Sequence, residues 1–458
     1  MQAAPGLRAV PADLRLLPDL AAWIAAFRGR ELDAALVDKV KLHLFDALGC
    51  TWAGAGTTEI EATHKALKRA AFAAPPKSLL DNTACAAAML VTACRLTECD
   101  DIQIGCCVTP SSVVVPVALV AAALAGATGE AALDGLLAGY QTMLSLGLAA
   151  RGAEILYRGV WPTFLTGGIG AAAVAAKILG LSERQIRDAM AIAGASATGV
   201  AGRIEEEPAP RWFVLATAVE SGILAAFAAA SGMHGDDAIL GKVSWVWKED
   251  AIAPPSEAGP GAPPLAHRIG LKPYCTSRQA LSATEAFIGA LAEARIDPAA
   301  IEKITVSVPS HYRAMIDRTK RPANKSESRS IQYQLALAVH HRDELYDIER
   351  ARLRVDEPAM QHVMDRVEVV ASDALSALFP RQWGGAVAVT AGGKTHERQV
   401  LHPRGDPENP LGWDAIAAKF DTMSRYLPRP IPAQDFARQA KALDFRASLA
   451  TVMGALER

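Results

Sequence analysis

The stretch ECDDIQIGCCVTPSSVVVP, residues 98–116, is the part of the chain around which the rest is organised. It places three carboxylates (Glu98, Asp100 and Asp101) and two adjacent cysteines before a turn of small polar residues and an apolar run. Carboxylates followed by such a turn and a buried helix are typical of the floor of a pocket. The stretch therefore predicts a polar site at the edge of a helical core.

Helical patterns surround this stretch. Leu36, Val40 and Leu44 recur at helical spacing, and Thr128 and Ser182 are good helix-start residues. Small residues let helix backbones approach closely, so a tightly packed helical domain is expected. Further helices, mostly rich in Ala and Gly, are predicted over residues 82–95, 113–125, 130–150, 164–179, 183–193 and 213–231.

The pattern changes after residues 251–264, whose proline and glycine content predicts a linker or long loop. Strand-like alternation follows over residues 303–308 and 366–371, and Ala391-Gly392-Gly393 predicts the turn of a hairpin. Helices are expected between these strands at residues 279–294 and 328–340.

The predicted fold is mostly α with a smaller α+β domain. Residues 413–458 are again helical and are expected to return to the first domain. We therefore assign residues 1–268 and 405–458 to an all-helical domain and residues 269–404 to an α+β lid domain.

Composition excludes several classes of protein. The 458 residues carry 47 Lys and Arg against 49 Asp and Glu, so no charge excess would attract nucleic acid. The apolar part of the uncharged run, residues 113–127, is too short to cross a membrane. The N-terminus lacks the basic start and apolar core of a secretory signal, and a cytoplasmic location is expected.

No cofactor, metal or disulfide framework is expected either. Seven cysteines are too few and too unevenly spaced for a disulfide scaffold, and their spacings match no zinc knuckle. The chain has no phosphate-binding glycine loop, dinucleotide fingerprint or HExxH motif. None of the ten histidines lies between His64 and His234, so a histidine-based mechanism would need one such as His311 or His267.

Carboxylates at alternating positions, such as Glu98 and Asp100, can hold different pKa values, as general acid–base chemistry requires. The alternative is a solvated helix end. Thr109, Ser111 and Ser112 precede a helix, and their hydroxyls and backbone amides either cap that helix or accept an anionic substrate.

A second group of candidates follows the linker in GLKPYCTSRQ. Lys272, with Tyr274 beside it and Arg278 further on, is placed to meet a substrate carboxylate at the domain junction. Cys275 is a candidate acid or base, although a lone cysteine is more often only packing.

Several segments together resemble the MmgE/PrpD family, which includes 2-methylcitrate dehydratase, cis-aconitate decarboxylase and iminodisuccinate epimerase. The matches are in the same order along most of the chain. They include FDALGCTWAG (45–54), residues 99–119, GLLAGYQTMLSLG (135–147), residues 161–199 and 219–241, LKPYC (271–275), SIQYQLALA (330–338) and GDPENPL (405–411).

This resemblance implies a large helical domain with an α+β lid, a homodimer without cofactors, and a site between the domains that closes on small di- or tricarboxylates. Asp100 and Asp101 match the family's Asp pair, and Lys272 matches its junction lysine. Glu98 stands in place of an aspartate, and Arg211 falls near a second family lysine.

Three further positions depart from the family pattern. Thr109 stands where the family has a histidine, and Ile102 stands where it has a threonine. In the family a second histidine precedes a Pro-Thr pair. Here Trp161 takes the place of that histidine, and Thr163 is the threonine of the pair. Loss of the histidines favours an isomerase or epimerase, because epimerisation needs no acid to expel hydroxide.

The sequence thus predicts an enzyme that moves a proton alpha to a carboxylate. Glu98, Asp100, Lys272 and Cys275 are the catalytic candidates. Two alternatives stay open: a lyase like 2-methylcitrate dehydratase or cis-aconitate decarboxylase, and a family member that binds carboxylates without turnover. The substrate-binding candidates are Asp101, Thr109, Ser111, Trp161, Thr163, Arg211, Tyr274 and Arg278.

Overall fold

A computed structural model describes residues 16–70, 83–200, 211–242, 264–318, 330–349 and 354–456. Of the predicted linker, residues 251–263 lie outside this described part of the chain. Within it, most residues are helical and a single four-stranded sheet follows residue 300. The predicted fold class, mostly α with a smaller α+β region, is confirmed.

The first part of the chain is helical throughout. Its elements are α1 (Leu16–Ala26), α2 (Ala34–Ala55), α3 (Ile60–Ala70), α4 (Thr83–Leu96), α5 (Ser111–Ala125), α6 (Gly129–Ala149), α7 (Gly152–Ile155), α8 (Pro162–Ile178), α9 (Glu183–Gly194), α10 (Arg211–Ala230) and α11 (Ile239–Lys242).

Local signals explain where several of these helices begin. Thr128 accepts a hydrogen bond from the Ala131 amide at the start of α6, and Ser182 forms a reciprocal capping box with Gln185 at the start of α9. Both predicted starts are confirmed. Helix α8 begins earlier than predicted because Pro162 suits the first turn, where its missing N–H leaves no bond unmade.

Glycines allow the central helices to touch through their backbones. A Cβ on Gly54 of α2 would lie 1.7 Å from the Ala93 carbonyl oxygen of α4, and one on Gly222 of α10 would lie 2.1 Å from the Gly168 carbonyl oxygen of α8. No side chain fits at either distance. The helices therefore pack as closely as the small-residue composition predicted.

The α+β part contains five helices and four strands among its described residues. They are α12 (Arg278–Ala294), β1 (Ile301–Val308), α13 (Arg313–Ile316), α14 (Ile331–His340), α15 (Pro358–Met364), β2 (Val367–Ala371), α16 (Asp373–Ser376), β3 (Gly385–Ala391) and β4 (Lys394–Val400).

The sheet has the order β2-β1-β3-β4. Strand β1 pairs in parallel with β2 and antiparallel with β3, and β3 and β4 form the predicted hairpin. Gly392 and Gly393 have φ values of 56° and 68° at its two-residue turn, a backbone that glycine adopts without a steric penalty.

The tail returns to the helical part through α17 (Trp413–Met423), α18 (Ala433–Ala442) and α19 (Phe445–Leu456). These helices join one buried hydrophobic cluster with α1 to α10, while the sheet, α12, α14 and α15 form a second cluster. Within residues 98–116, Ile102 and Cys107 belong to the second cluster, whereas Cys99 and Val108 belong to the first. Residues 98–116 therefore lie where the two clusters meet.

One described helix, α10, is long and apolar enough to cross a membrane by length and composition. It packs against α4, α8 and α9, and buried core helices of globular proteins share these properties. Helix α5, which begins within residues 98–116, has 15 residues and is buried from Ser111 to Ala122.

Candidate active site

A cavity of about 140 Å³ lies at the junction of the two clusters. Its wall is formed by the end of α4, the segment that follows it, the starts of α8 and α10, and the segment leading into α12. The predicted site residues that line it are Glu98, Thr109, Trp161, Thr163, Arg211, Lys272 and Arg278.

A buried ion cluster around Asp100 supports this wall. The fully buried Asp100 carboxylate accepts a hydrogen bond from Arg95, and its other oxygen lies 3.9 Å from Lys272 Nζ. Lys272 also donates to the Glu98 carbonyl oxygen at 2.7 Å. Burial opposes the charge of Arg95, but Asp100 and Glu98 outweigh it and raise the pKa of Arg95. Asp100 thus holds two cations at the cavity without lining it.

Glu98 enters the wall from a left-handed backbone. Its φ is 46°, and Cys107 in the same wall has a φ of 55°. Residues other than glycine rarely adopt this conformation, so surrounding contacts must hold it. One such contact is the ion pair in which Arg211 Nη2 donates to Glu98 Oε1 at 3.0 Å.

Aromatic rings form the floor beneath two guanidinium groups. The Cζ atoms of Arg95 and Arg211 lie 4.4 and 4.5 Å from the ring centroid of Trp212. Trp161 and Phe164 pack edge-on and tilted against the same ring. Cation–π attraction helps to keep both guanidinium groups in place.

Positive charge is in excess along the wall. Among the lining residues that the structure describes, Glu98 is the one carboxylate, and Asp100 and Asp406 lie behind the wall. A small molecule with two or three carboxylates would neutralise the excess. The lining cations are Arg95, Arg211, Lys272, Arg278 and Arg318.

Arg278 is heavily engaged inside the protein. Its Nε and Nη2 atoms donate to both carboxylate oxygens of Asp406 at 3.1 and 2.5 Å, and its Nη1 atom donates to Ser282 and to the Trp383 carbonyl. Most of the hydrogen-bond donors of Arg278 are therefore already used. Arg278 links α12 to Asp406, in the segment before α17, and has few donors left for a ligand.

Asp101 and Ser111 lie behind the cavity in a buried network. The Asp101 carboxylate accepts hydrogen bonds from the Ser111 amide, at 3.1 Å, and from the Ser111 hydroxyl, and it lies 3.2 Å from His43 Nδ1. The Ser111 hydroxyl is 2.7 Å from the Tyr140 hydroxyl. Asp101 therefore supplies the hydrogen bonds at the start of α5, where the sequence predicted capping by Thr109, Ser111 or Ser112.

Two predicted site residues of the segment that leads into α12, residues 270–277 and here called the junction segment, do not line this cavity. Cys275 is buried, and its thiol contacts the Tyr346 carbonyl oxygen and the Cys99 thiol. Tyr274 lies in the wall of a different cavity. Cys107 does line the site, and burial raises the pKa of its thiol to about 12 against the opposing effect of Lys272 and Arg95.

Comparison with known families decides the assignment. Residues 18–248 match the MmgE/PrpD N-terminal domain, and residues 274–444 match the MmgE/PrpD C-terminal domain. This protein belongs to the MmgE/PrpD family. No curated protein matches the sequence. Membership of the MmgE/PrpD family indicates a function of the dehydratase, lyase or isomerase type.

This MmgE/PrpD protein has hydroxyls and an indole where the resemblance implies histidines. The Thr109 amide donates to Thr163 Oγ1 at 3.0 Å, and the two hydroxyls lie 3.1 Å apart. Trp161 packs on Trp212 and Phe164. No histidine lines the cavity within the described ranges, and His311 instead stacks on Phe379.

Sequence reasoning missed several polar or aromatic residues of the wall, among them Arg95, Trp212, Gln279 and Arg318. Arg95 carried a usable signal, because it is a lone charge at the end of an almost wholly apolar helix. Trp212 and Gln279 carried no signal of their own in the sequence. Each simply follows a residue, Arg211 or Arg278, that was chosen for its charge. Arg318 lies in the segment just after α13, far from every motif.

A possible metal-binding group lies outside this cavity. The ligand atoms of His402, Asp406 and Glu408 lie within 4.8 Å of one another. Both Asp406 oxygens already accept hydrogen bonds from Arg278. A metal ion there would have to compete with that buried ion pair.

Proposed function

We propose that this protein is a cofactor-independent isomerase, epimerase or lyase that moves a proton alpha to a carboxylate on a small di- or tricarboxylate. The observation that carries the proposal is the cationic cavity wall with Glu98 as its one described lining carboxylate. The wall suits an anionic substrate, and Glu98 supplies a base beside it.

The cations have a specific task in such a reaction. When a proton leaves the carbon next to a carboxylate, the electron pair forms a carbon–carbon double bond and negative charge moves onto the carboxylate oxygens. Arg95, Arg211 and Lys272 provide fixed donors for that charge. The ion pairs of Arg95 and Lys272 with buried Asp100 keep these donors in place before substrate arrives.

Glu98 takes the proton in this mechanism. Return of a proton to the same carbon from the opposite side gives an epimer, and loss of a group from the adjacent carbon gives a lyase product. The Lys272 ammonium group is the proposed donor for the returning proton or the leaving group. Asp100 acts through Arg95 and Lys272 as a positioning residue, and Cys275 has no assigned step.

A second candidate is a family member that binds carboxylates without turnover. It is favoured by the Thr109–Thr163 pair, because two hydroxyls at 3.1 Å cannot replace the acid–base chemistry of an imidazole at neutral pH. The homodimer and the cytoplasmic location suggested at the sequence level also stay proposals.

The test begins with a thermal-shift screen of dicarboxylates, tricarboxylates and amino-dicarboxylates. Ligands that stabilise the protein are then incubated with it in deuterated water and followed by proton NMR. We expect loss of the signal from the hydrogen next to a carboxylate, or appearance of a product. Binding by the wild-type protein with neither change would favour the second candidate.

A matched pair of variants tests the base. Glu98→Gln keeps the side-chain size and should retain binding while deuterium exchange falls by about 100-fold or more. Glu61→Gln alters an exposed glutamate of α3, 68% accessible, and should change neither property. Unchanged exchange in the Glu98 variant would remove Glu98 from the mechanism.

A further inference from the structure

A second cavity, of about 170 Å³, lies in the α+β part. It shares no lining residue with the candidate active site. The residues that matter for its chemistry are Tyr274, Glu285, Arg342 and Arg404, which come from the junction segment, α12, the turn after α14 and the segment after β4.

The Tyr274 hydroxyl lacks a hydrogen-bond partner among the described residues. Tyr274 is 4% exposed, and its oxygen is buried. Burial raises the pKa of Tyr274 well above its ordinary value, so the hydroxyl keeps its proton as a donor. Tyr274 lines the same cavity as Glu285, Arg404 and Arg342, whose charges act on its hydroxyl.

The cavity also carries one more positive than negative charge among its described lining residues. Glu285 accepts a hydrogen bond from the Arg404 backbone amide at 2.8 Å, and its other oxygen lies 3.7 Å from Arg404 Nε. Arg342 forms no hydrogen bond or ion pair within the described part of the chain. An exposed guanidinium, a partly neutralised one and a buried hydroxyl donor all suit an oxygen anion.

We propose that this second cavity binds a small oxyanion, with inorganic phosphate as the representative ligand. Arg342 and Arg404 supply the charged hydrogen bonds, and Tyr274 supplies the neutral one. A buried donor without a partner is destabilising, so a ligand that accepts a hydrogen bond from Tyr274 removes that penalty. This proposal does not depend on the reaction proposed for the first cavity.

Isothermal titration of the full-length protein with inorganic phosphate provides the test. We expect saturable binding, weakened about tenfold or more in Arg342→Gln and measurably in Tyr274→Phe. Tyr274→Phe removes only the hydroxyl and leaves the ring contact with Tyr346, so the fold should survive. Arg429→Gln, an exposed arginine outside both cavities, is the control and should bind phosphate normally.

The first cavity must be separated from the second, because it is also cationic. Arg211→Gln changes only the first cavity and should leave phosphate affinity unchanged. Three results would overturn the proposal: no binding up to about 10 mM phosphate, where affinity is negligible; equal affinity in Tyr274→Phe, Arg342→Gln and the wild-type protein; or loss of binding in Arg211→Gln alone.

Discussion

Lys272 Nζ lies 3.9 Å from the buried carboxylate of Asp100, which comes from a segment far earlier in the chain. The same ammonium group donates to the carbonyl of Glu98. Lys272, which lies in the segment leading into α12, thus contacts two residues of the acidic motif, and a single side chain links the two parts of the protein at the cavity. This contact underlies the first prediction.

Lys272→Ala should reduce turnover of any identified substrate by at least about 100-fold, because it removes the proposed proton donor and a positive charge of the cavity wall together. The measurement is the rate of deuterium exchange or product formation at saturating substrate. Lys65→Ala, which alters a lysine with a 72% exposed side chain, should keep the wild-type rate. Undiminished activity in the Lys272 variant would exclude this residue from the mechanism.

Arg211→Gln should weaken substrate binding more than it slows the chemical step. Its guanidinium pairs with Glu98 and lies over Trp212, so its loss removes a carboxylate contact from the wall. We expect KM to rise about tenfold or more, with a smaller change in kcat.

Two further variants test whether the guanidinium group of Arg211 is responsible for this effect. Arg211→Lys should restore only part of the affinity, because an ammonium group lacks the planar fork of arginine. Arg438→Gln, on the exposed face of α18, is the control. A fall in kcat with KM unchanged would indicate that Arg211 acts in the chemical step instead.

The stability of the protein should fall at alkaline pH. Burial raises the pKa of Cys50 from 9.0 to about 11. The folded state therefore holds a proton that the unfolded chain loses, and the stabilisation is complete below about pH 9 and is lost as pH rises towards 11. The loss assigned to Cys50 is on the order of 2 kcal/mol.

Urea unfolding at intervals between pH 8 and 11 measures this effect. Cys50→Ala removes the titrating group, so its free energy of unfolding should decline less steeply over the same range than that of the wild-type protein. Identical slopes for the two proteins would contradict the assignment to Cys50.

Gly222→Ala should destabilise the protein by about 1–3 kcal/mol, because its Cβ would lie 2.1 Å from the Gly168 carbonyl oxygen and would force α8 and α10 apart. Gly454→Ala is the matched control within a helix, since no atom lies within 4 Å of its added Cβ. That variant should gain about 0.5–1 kcal/mol. Urea unfolding of both variants gives the comparison, and equal stabilities would show that α8 and α10 can separate without cost.

Much of the fold could be predicted from local pattern. Helical periodicity, the caps at Thr128 and Ser182, and the Gly392–Gly393 turn each depend on residues close in sequence, and the structure confirms them. The fold class followed from the same patterns, because hydrophobic period distinguishes helices from strands without knowledge of the tertiary contacts.

The contacts of the site residues could not be predicted from local sequence pattern in the same way. Asp100 and Asp101 are adjacent, but one carboxylate contacts Arg95 and Lys272 at the cavity and the other contacts Ser111 and His43 behind it. Backbone angles and neighbouring helices decide this difference, and adjacent letters in the sequence do not encode it.

By itself, the sequence determined the helical and α+β parts, the family, and the acidic stretch at residues 98–116, because each depends on short-range pattern or on ordered motifs. Only the tertiary structure decided which charges share a wall. It brought Arg95 and Arg211 together over Trp212 and placed Tyr274 in a second cavity. The physical reason is that a side chain's partners depend on how distant segments pack, and a turn of the backbone can direct neighbouring residues into different surroundings.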